Sequence, residues 1–215
     1  MTSLDPGLAG LRVDHEPQPT PGPGRTVWLA SFPKSGNTWM RAIVTALNTH
    51  RALFAVNQLS SGAQPHHVSG LEALGLDARW LDRSELDRLR TALIQRSGSV
   101  GENGDGSPDP GTDPRRPFLR KTHEVYRPGT PAAEPFPLAA SRAAILVVRD
   151  PRDVACSFAP FFGLDLSGAV DRLGRTDNHE VCSPARMTTA QPWGSWSSHT
   201  LSWLSDDVPF PVHLV

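Results

Sequence analysis

The residues best suited to chemistry stand in a short turn, SFPKSGNTW, which joins an apolar run to a helical pattern. Backbone N–H groups at the start of a helix point outward, and together with the helix dipole they attract phosphate. The glycine lets an anion approach the backbone closely, the lysine adds positive charge, and the hydroxyl and amide side chains add donors. The predicted anion site consists of Lys34, Ser35, Gly36, Asn37 and Thr38.

The spacing of this turn differs from that of the phosphate-binding loop of nucleoside triphosphatases. The pattern GxxxxGK[ST] is absent, and Lys34 leads the turn instead of closing it. No acidic partner for magnesium is evident nearby. A kinase of that class is therefore disfavoured, and the remaining alternative is an ordinary capped turn.

A second turn, VVRDPRDVACS, repeats the strand-to-helix arrangement with different side chains. Arg149 ends the apolar run, and Ser157 follows eight residues later, about two turns into the next predicted helix. A guanidinium and a hydroxyl on one side can hold a second phosphate. Alternatively, Arg149 forms a salt bridge at the strand end, while Arg152 and Asp153 are assigned to local pairing and capping.

Between the two turns lies RKTHEVY, in which Lys121 and His123 follow a short apolar run. A histidine at that position can accept a proton near neutral pH. Of the 21 Lys and Arg residues, only Lys34 and Lys121 are lysines, so the compact ammonium is kept at two places. The remaining histidines considered are assigned structural roles: His66, His67, His179 and His213.

Alternating strand and helix patterns predict an α/β fold with a parallel sheet flanked by helices. Strands are predicted at 27–30, 118–120, 143–148 and in the closing PVHLV. Helices are predicted from residue 38, over 84–96 with Ser84 as the cap, from residue 151, at 169–173 and over 195–204. Because ligands bind beyond the carboxyl ends of parallel strands, all the candidate residues are expected at one edge.

Composition narrows the class of protein. The net charge of −1 disfavours nucleic acid and anionic membranes as partners, and no apolar run approaches the roughly 20 residues of a membrane span. Two cysteines and the lack of a secretory signal indicate a cytoplasmic protein. Residues 1–24 are predicted to be a flexible tail, and 25–215 one domain with a mobile loop at about 97–117. The Arg-, Ala- and Pro-rich composition suggests a bacterial source.

Taken together and in this order, SFPKSGNTW, KTH, VVRDPRDVACS and WGSWSSHTLSWL resemble the signatures of the PAPS-dependent sulfotransferases. The resemblance runs from about residue 25 to the end. It implies a P-loop NTPase-like sulfotransferase architecture, PAPS (3′-phosphoadenylyl sulfate) as the co-substrate, and no metal. The departures are Asn37 where threonine is usual and Trp193 where tyrosine is common.

The resemblance also implies roles for the candidate residues. Lys34, Ser35, Gly36, Asn37 and Thr38 would bind the 5′-phosphate, Trp39 would stack on adenine, Arg149 and Ser157 would hold the 3′-phosphate, and Trp193 would take a second adenine position. His123 would remove the acceptor proton, Lys34 would stabilise the leaving phosphate, and Lys121 would orient the sulfuryl oxygens. Trp196 and Trp203 are assigned to the core.

Members of this family normally continue beyond the segment PVHLV, so the fold is expected to be C-terminally incomplete in this sequence. A missing segment or a partner would complete it. The implied function is transfer of a sulfuryl group to a hydroxyl or amine of a small molecule or sugar. The alternative is a truncated protein that binds PAP (adenosine 3′,5′-bisphosphate) without turnover.

Overall fold

The computed structural model describes residues 19–49, 71, 75–97, 117–129, 134–180 and 191–215. Residues 1–18 of the predicted tail and 98–116 of the predicted loop lie outside these ranges. The six strands are β1 (Thr26–Ser31), β2 (Phe118–Thr122), β3 (Ser141–Val147), β4 (His179–Glu180), β5 (Gln191–Pro192) and β6 (Val212–Leu214). Four of them form one parallel sheet in the order β2-β1-β3-β6, and β4 pairs with β5 in an antiparallel manner.

Within the described ranges, five helices with defined bounds accompany the strands, each where the sequence predicts one. They are α1 (Asn37–Thr49), α2 (Arg83–Ser97), α3 (Pro151–Phe162), α4 (Leu166–Gly174) and α5 (Trp196–Trp203), with a 3-10 turn at Ala78–Trp80. The predicted α/β class, a parallel sheet flanked by helices, is confirmed. Within the described ranges, no helix is long and apolar enough to cross a membrane.

The start of α2 differs from the predicted one. The carboxylate of Asp82 accepts a hydrogen bond from the backbone N–H of Glu85 at 2.9 Å, and the Glu85 side chain accepts one from the N–H of Asp82 at 2.8 Å. This reciprocal pair caps the helix two residues before the predicted cap. Ser84 is therefore not the cap.

The register of the sheet aligns the carboxyl ends of three strands. Ala30 at the end of β1 pairs with Thr122 of β2, and Ser31 pairs with Val147 of β3. The segments that leave β1, β2 and β3 therefore begin at the same edge. This edge carries the two turns and the histidine that the sequence singles out.

The chain also packs closely just before β1. The N–H groups of Gly22 and Gly24 donate to the carbonyls of Arg142 and Ser141, both at 3.0 Å. A Cβ on Gly24 would lie 1.9 Å from the carbonyl carbon of Ala140, so only glycine fits there. Residues 22–24, which the sequence assigns to the tail, thus lie against β3.

Two apolar clusters lie against the sheet. The first contains Trp28 of β1 and the fully buried Trp203, which confirms the core assignment of Trp203. Its aromatic rings meet mostly edge to face, a favourable arrangement. The second cluster contains Phe32, Phe158 and Trp193 and lies under the turn that follows β1.

A buried ionic network joins α2 to the segment after β2. The Arg127 guanidinium donates to the carboxylate of Asp87 at 2.9 and 3.0 Å and to that of Glu124 at 2.8 Å. The side chains of Asp87 and Glu124 are only 6% and 0% exposed. Carboxylates this deeply buried are stable as charges only when hydrogen-bonded to a cation.

Replacing Arg127 with Met should destabilise the fold by about 3 kcal/mol, because it leaves two buried carboxylates without this guanidinium. Urea unfolding at pH 7 measures the change. As a control, Arg175→Met removes an ion pair with Asp177 whose side chains are 59% and 68% exposed. That exposed pair should contribute less than about 1 kcal/mol. Equal effects of the two substitutions would contradict the role assigned to the network.

His199 of α5 is a buried histidine beneath the turn after β1. It is 0% exposed, and its ring meets that of Phe32 edge to face, with centroids 6.0 Å apart. Neither ring nitrogen has hydrogen-bond geometry to a partner within the described residues, although the backbone of His123 is near. Burial lowers the pKa of His199 to about 3, so the imidazole is neutral in the folded protein.

His199 should make the fold sensitive to acid. Below pH 6.5 His199 binds a proton in the unfolded chain, whereas in the folded chain it stays neutral down to about pH 3. The free energy of unfolding therefore falls as the pH drops through this window. At pH 4 the loss from this residue is roughly 3 kcal/mol. Urea unfolding between pH 7.5 and 4 should show that the free energy of unfolding declines less for His199→Phe than for the control His213→Phe, which is at an exposed position. Parallel curves would contradict the assignment.

Candidate functional site

The first turn has a backbone shape suited to an anion. Lys34 has a φ of +72° and Gly36 a φ of +113°, both in the left-handed region. The N–H of Ser35 donates to the carbonyl of Phe32 at 3.2 Å, which closes the turn. The N–H of Met40 then bonds to the Gly36 carbonyl at 3.1 Å, which begins α1. The N–H groups of residues 37–39 belong to the first turn of α1, where no helical carbonyl lies one turn earlier to accept them.

Side chains of this turn divide into two groups. The hydroxyl of Ser35 is buried and has no hydrogen-bond partner in the described part of the chain. Asn37, also buried, directs its amide nitrogen inward to the Leu29 carbonyl at 3.2 Å and to the Ser31 hydroxyl at 3.1 Å. Asn37 therefore fixes the turn to β1 with its side chain and offers the site its backbone N–H.

The remaining predicted residues of this region face outward. Thr38 is exposed, and Trp39 is 77% exposed at the start of α1. The ammonium of Lys34, which is half-buried, lies 4.1 Å from the centre of the Phe161 ring. An indole face and a cation thus flank the row of N–H groups.

His123, immediately after β2, is fixed to the end of β1. Its Nδ1 lies 2.7 Å from the Ser31 carbonyl and 3.3 Å from the Ser31 hydroxyl. A carbonyl only accepts hydrogen bonds, so Nδ1 carries the proton and the lone pair of the neutral ring is on Nε2. This tautomer leaves Nε2 able to accept a proton from a bound group.

The surroundings of His123 keep its ring neutral. Burial lowers its pKa well below 6.5, and the positive charge of Lys121 lowers it further. The bond to Ser31 opposes this shift, whereas His199 and Arg41 add smaller lowering effects. Lys121 is half-buried on β2, two residues before His123 and paired in register with Leu29. At neutral pH the imidazole is therefore available as a base.

The second turn is organised by a carboxylate cap. Asp150 caps α3 by accepting from the N–H of Arg152 at 2.8 Å, and the two side chains pair at 2.6 Å. Hydrogen bonds from Arg152 lower the pKa of Asp150 to about 2. The local pairing predicted for Arg152 is confirmed.

Arg149 forms the salt bridge that the sequence offers as the alternative to phosphate binding, and this salt bridge is long. Its Nε lies 3.6 Å from the carboxylate of Asp153, and the two side chains are 44% and 63% exposed. Exposed pairs of this kind contribute little, so an incoming anion can replace the carboxylate. Ser157, half-buried, stands four residues after Asp153 on the same face of α3. Arg149 and Ser157 therefore approach the edge from one side.

The tryptophans after β5 have different surroundings. Trp193 is only 3% exposed and packs against Phe162 and Phe158, with ring centres 5.7 and 6.4 Å away. Its adenine-contacting role remains a prediction, and the exposed indole at the edge is that of Trp39. Trp196, assigned to the core, is half-buried, and its indole N–H donates to the Arg149 carbonyl at 3.2 Å.

Sequence reasoning did not single out two residues at this edge, Phe161 and His199. Phe161 stands four residues after Ser157, so helical spacing alone could have placed it near the second turn. His199 is one of several polar residues in α5, and only its tertiary packing distinguishes it.

These elements form one site at the carboxyl edge of the sheet. Two separate turns each combine a cation with hydrogen-bond donors, and a neutral histidine faces the same edge. Such an arrangement can hold two anionic groups while a base accepts a proton. No cluster of three or more metal-ligating side chains occurs within the described residues.

Comparison with known families shows what this chain resembles. The model of a family described as sulfotransferase domain matches residues 25–215, a range that includes both turns, His123 and the whole sheet. No curated protein matches the chain. The match covers most of the 215 residues and supports sulfuryl transfer in general. The chain belongs to the sulfotransferase family.

Proposed function

We propose that the protein transfers a sulfuryl group from PAPS to a hydroxyl or amine, with His123 as the base. The observation that carries this proposal is the bond between His123 Nδ1 and the Ser31 carbonyl. It places a neutral imidazole, with its free lone pair on Nε2, at the strand end from which the first anion-binding turn departs.

The residues of the two turns fit the phosphates of this nucleotide, which supplies the activated sulfuryl group when bound. Lys34, the Ser35 hydroxyl and the N–H groups at the start of α1 would hold the 5′-phosphate. Ser35 is the clearest indication, because its buried hydroxyl has no hydrogen-bond partner among the described residues and an anion would supply one. Arg149 and Ser157 would hold the 3′-phosphate, and Trp39 offers an exposed face for adenine.

In the reaction, His123 Nε2 takes the proton of the acceptor as the acceptor oxygen or nitrogen bonds to sulfur. The bond between sulfur and the phosphate oxygen breaks, and Lys34 stabilises the negative charge left on that oxygen. Lys121 orients the sulfuryl oxygens. A positioned base of this kind contributes about 10²–10⁴-fold to the rate. The proposed acceptor is a small molecule or a sugar.

The first test is binding. PAP should bind more tightly than AMP by calorimetry, because only PAP carries the 3′-phosphate. Arg149→Ala should weaken the binding of PAP by about tenfold or more and leave the binding of AMP unchanged. Arg152→Ala is the matched control, since Arg152 pairs with Asp150 and not with the nucleotide. Equal affinity of the unaltered protein for PAP and AMP would contradict the assignment of the second turn.

The second test is transfer of ³⁵S from PAPS to a panel of hydroxyl and amine acceptors. His123→Asn should lower the rate of transfer by about 10²–10⁴-fold and leave the affinity for PAP unchanged. The control His213→Asn should leave both the rate and the affinity unchanged. Because the pKa of His123 lies well below 6.5, the rate should fall only at pH values below 6.5. Tight PAP binding without transfer to any acceptor would instead favour a PAP-binding protein that lacks turnover.

A further inference from the structure

Lys34 has an unusual environment for a surface lysine. Its ammonium lies over the face of the Phe161 ring, 4.1 Å from the centroid, well within the range of a cation–π contact. Its backbone is left-handed, with φ of +72°, a conformation that directs the side chain differently from a residue in a strand or helix. Within the described residues, Lys34 forms no salt bridge. The ring is thus the contact that holds the ammonium.

The Phe161 ring is itself held in place. Phe161 is 53% exposed on α3, yet its ring meets that of Phe162 edge to face at 4.9 Å and 80°. Phe162 in turn packs against Phe158 at 4.2 Å and against the buried Trp193. Because neighbouring rings hold the Phe161 ring in place, its exposed face has a fixed orientation and can form a specific contact.

The ring also stands at a useful place. Phe161 follows Ser157 by four residues, so both lie on one face of α3, one turn apart. Lys34 belongs to the first turn and Ser157 to the second. The contact between Lys34 and Phe161 therefore joins the first turn to α3, the helix that begins at the second turn and carries Ser157.

An aromatic ring differs from a carboxylate as a partner for this lysine. A carboxylate would neutralise the ammonium and compete with an incoming phosphate. A ring restrains the position of the ammonium through its quadrupole but leaves the charge and the N–H donors available. Restraint without neutralisation is what a phosphate-binding lysine needs, because it reduces the entropy lost when the anion binds.

We propose that Phe161 is a positioning residue that holds the Lys34 ammonium ready for the 5′-phosphate. The ring acts through Lys34 and does not contact the nucleotide. This inference rests on the proposed function, because it assumes that Lys34 meets the 5′-phosphate.

Calorimetric titrations with PAP, AMP and adenosine test the inference. Phe161→Leu removes the π-face and keeps an apolar side chain, so PAP and AMP should each bind about two- to fivefold more weakly, with adenosine unchanged. Phe161→Tyr keeps the face and should bind all three as the unaltered protein does. Val170→Ala, at a similarly exposed apolar position on α4, is the matched control and should change nothing.

A double-mutant cycle separates positioning from direct contact. In a Lys34→Met background, Phe161→Leu should cause no further loss of PAP or AMP affinity. The NMR shifts of the Lys34 ε-methylene protons provide an independent measurement. The ring should move them upfield in the unaltered protein and in Phe161→Tyr, and the effect should disappear in Phe161→Leu.

Each outcome has a defined meaning. If the unaltered protein binds neither PAP nor AMP, both the proposed function and this inference are wrong. If it binds them and Phe161→Leu binds them equally well, only the inference is wrong. A further loss in the Lys34→Met background would show that the ring touches the nucleotide, which would overturn the positioning role.

Discussion

Parallel pairing of β1 with strands on both sides is the constraint on which the site depends. Because Ala30 pairs with Thr122 and Ser31 with Val147, β1, β2 and β3 end level with one another. Each then leaves the sheet at the same edge, where the chain has to turn. The turn after β1 begins a helix, the segment after β2 carries His123, and the turn after β3 begins another helix. The pairing of the strands alone therefore brings distant residues to one edge. Ser31 and Ser157, for example, are 126 positions apart in the sequence.

The electrostatics of the edge follow from how its charges are partnered. Arg127 donates to the buried carboxylates of Glu124 and Asp87. The ammonium of Lys34 lies over an aromatic ring, and the carboxylate partner that Arg149 has among the described residues is loose and exposed. The cations at the edge therefore keep most of their charge available for an anion. Burial, with the positive charge of Lys121, lowers the pKa of His123 and keeps its ring neutral.

The sequence predicts the features that depend on local patterns. Strand and helix positions follow from apolar periodicity, and both turns follow from the residue types at the strand ends. The predicted cap of α2 at Ser84 is wrong, because Asp82 and Glu85 form a reciprocal capping pair two residues earlier. Other features depend on tertiary contacts that no local pattern carries. The Arg127–Asp87 bond spans 40 residues, and the burial of Trp193 depends on rings from α3.

The position of Lys34 shows how backbone, packing and charge act together at one residue. A left-handed conformation costs a non-glycine residue about 1 kcal/mol or more, so it persists only where the surrounding structure compensates for it. Here the turn is closed by the Ser35–Phe32 hydrogen bond, and the side chain is held by the Phe161 ring. An arginine in its place would be longer and planar, and it would tend to stack its guanidinium flat on that ring. The compact ammonium of lysine contacts the ring with one side and leaves its other N–H donors available to an anion. In a sequence that uses arginine at 19 of its 21 basic positions, this geometry gives a physical reason for a lysine at residue 34.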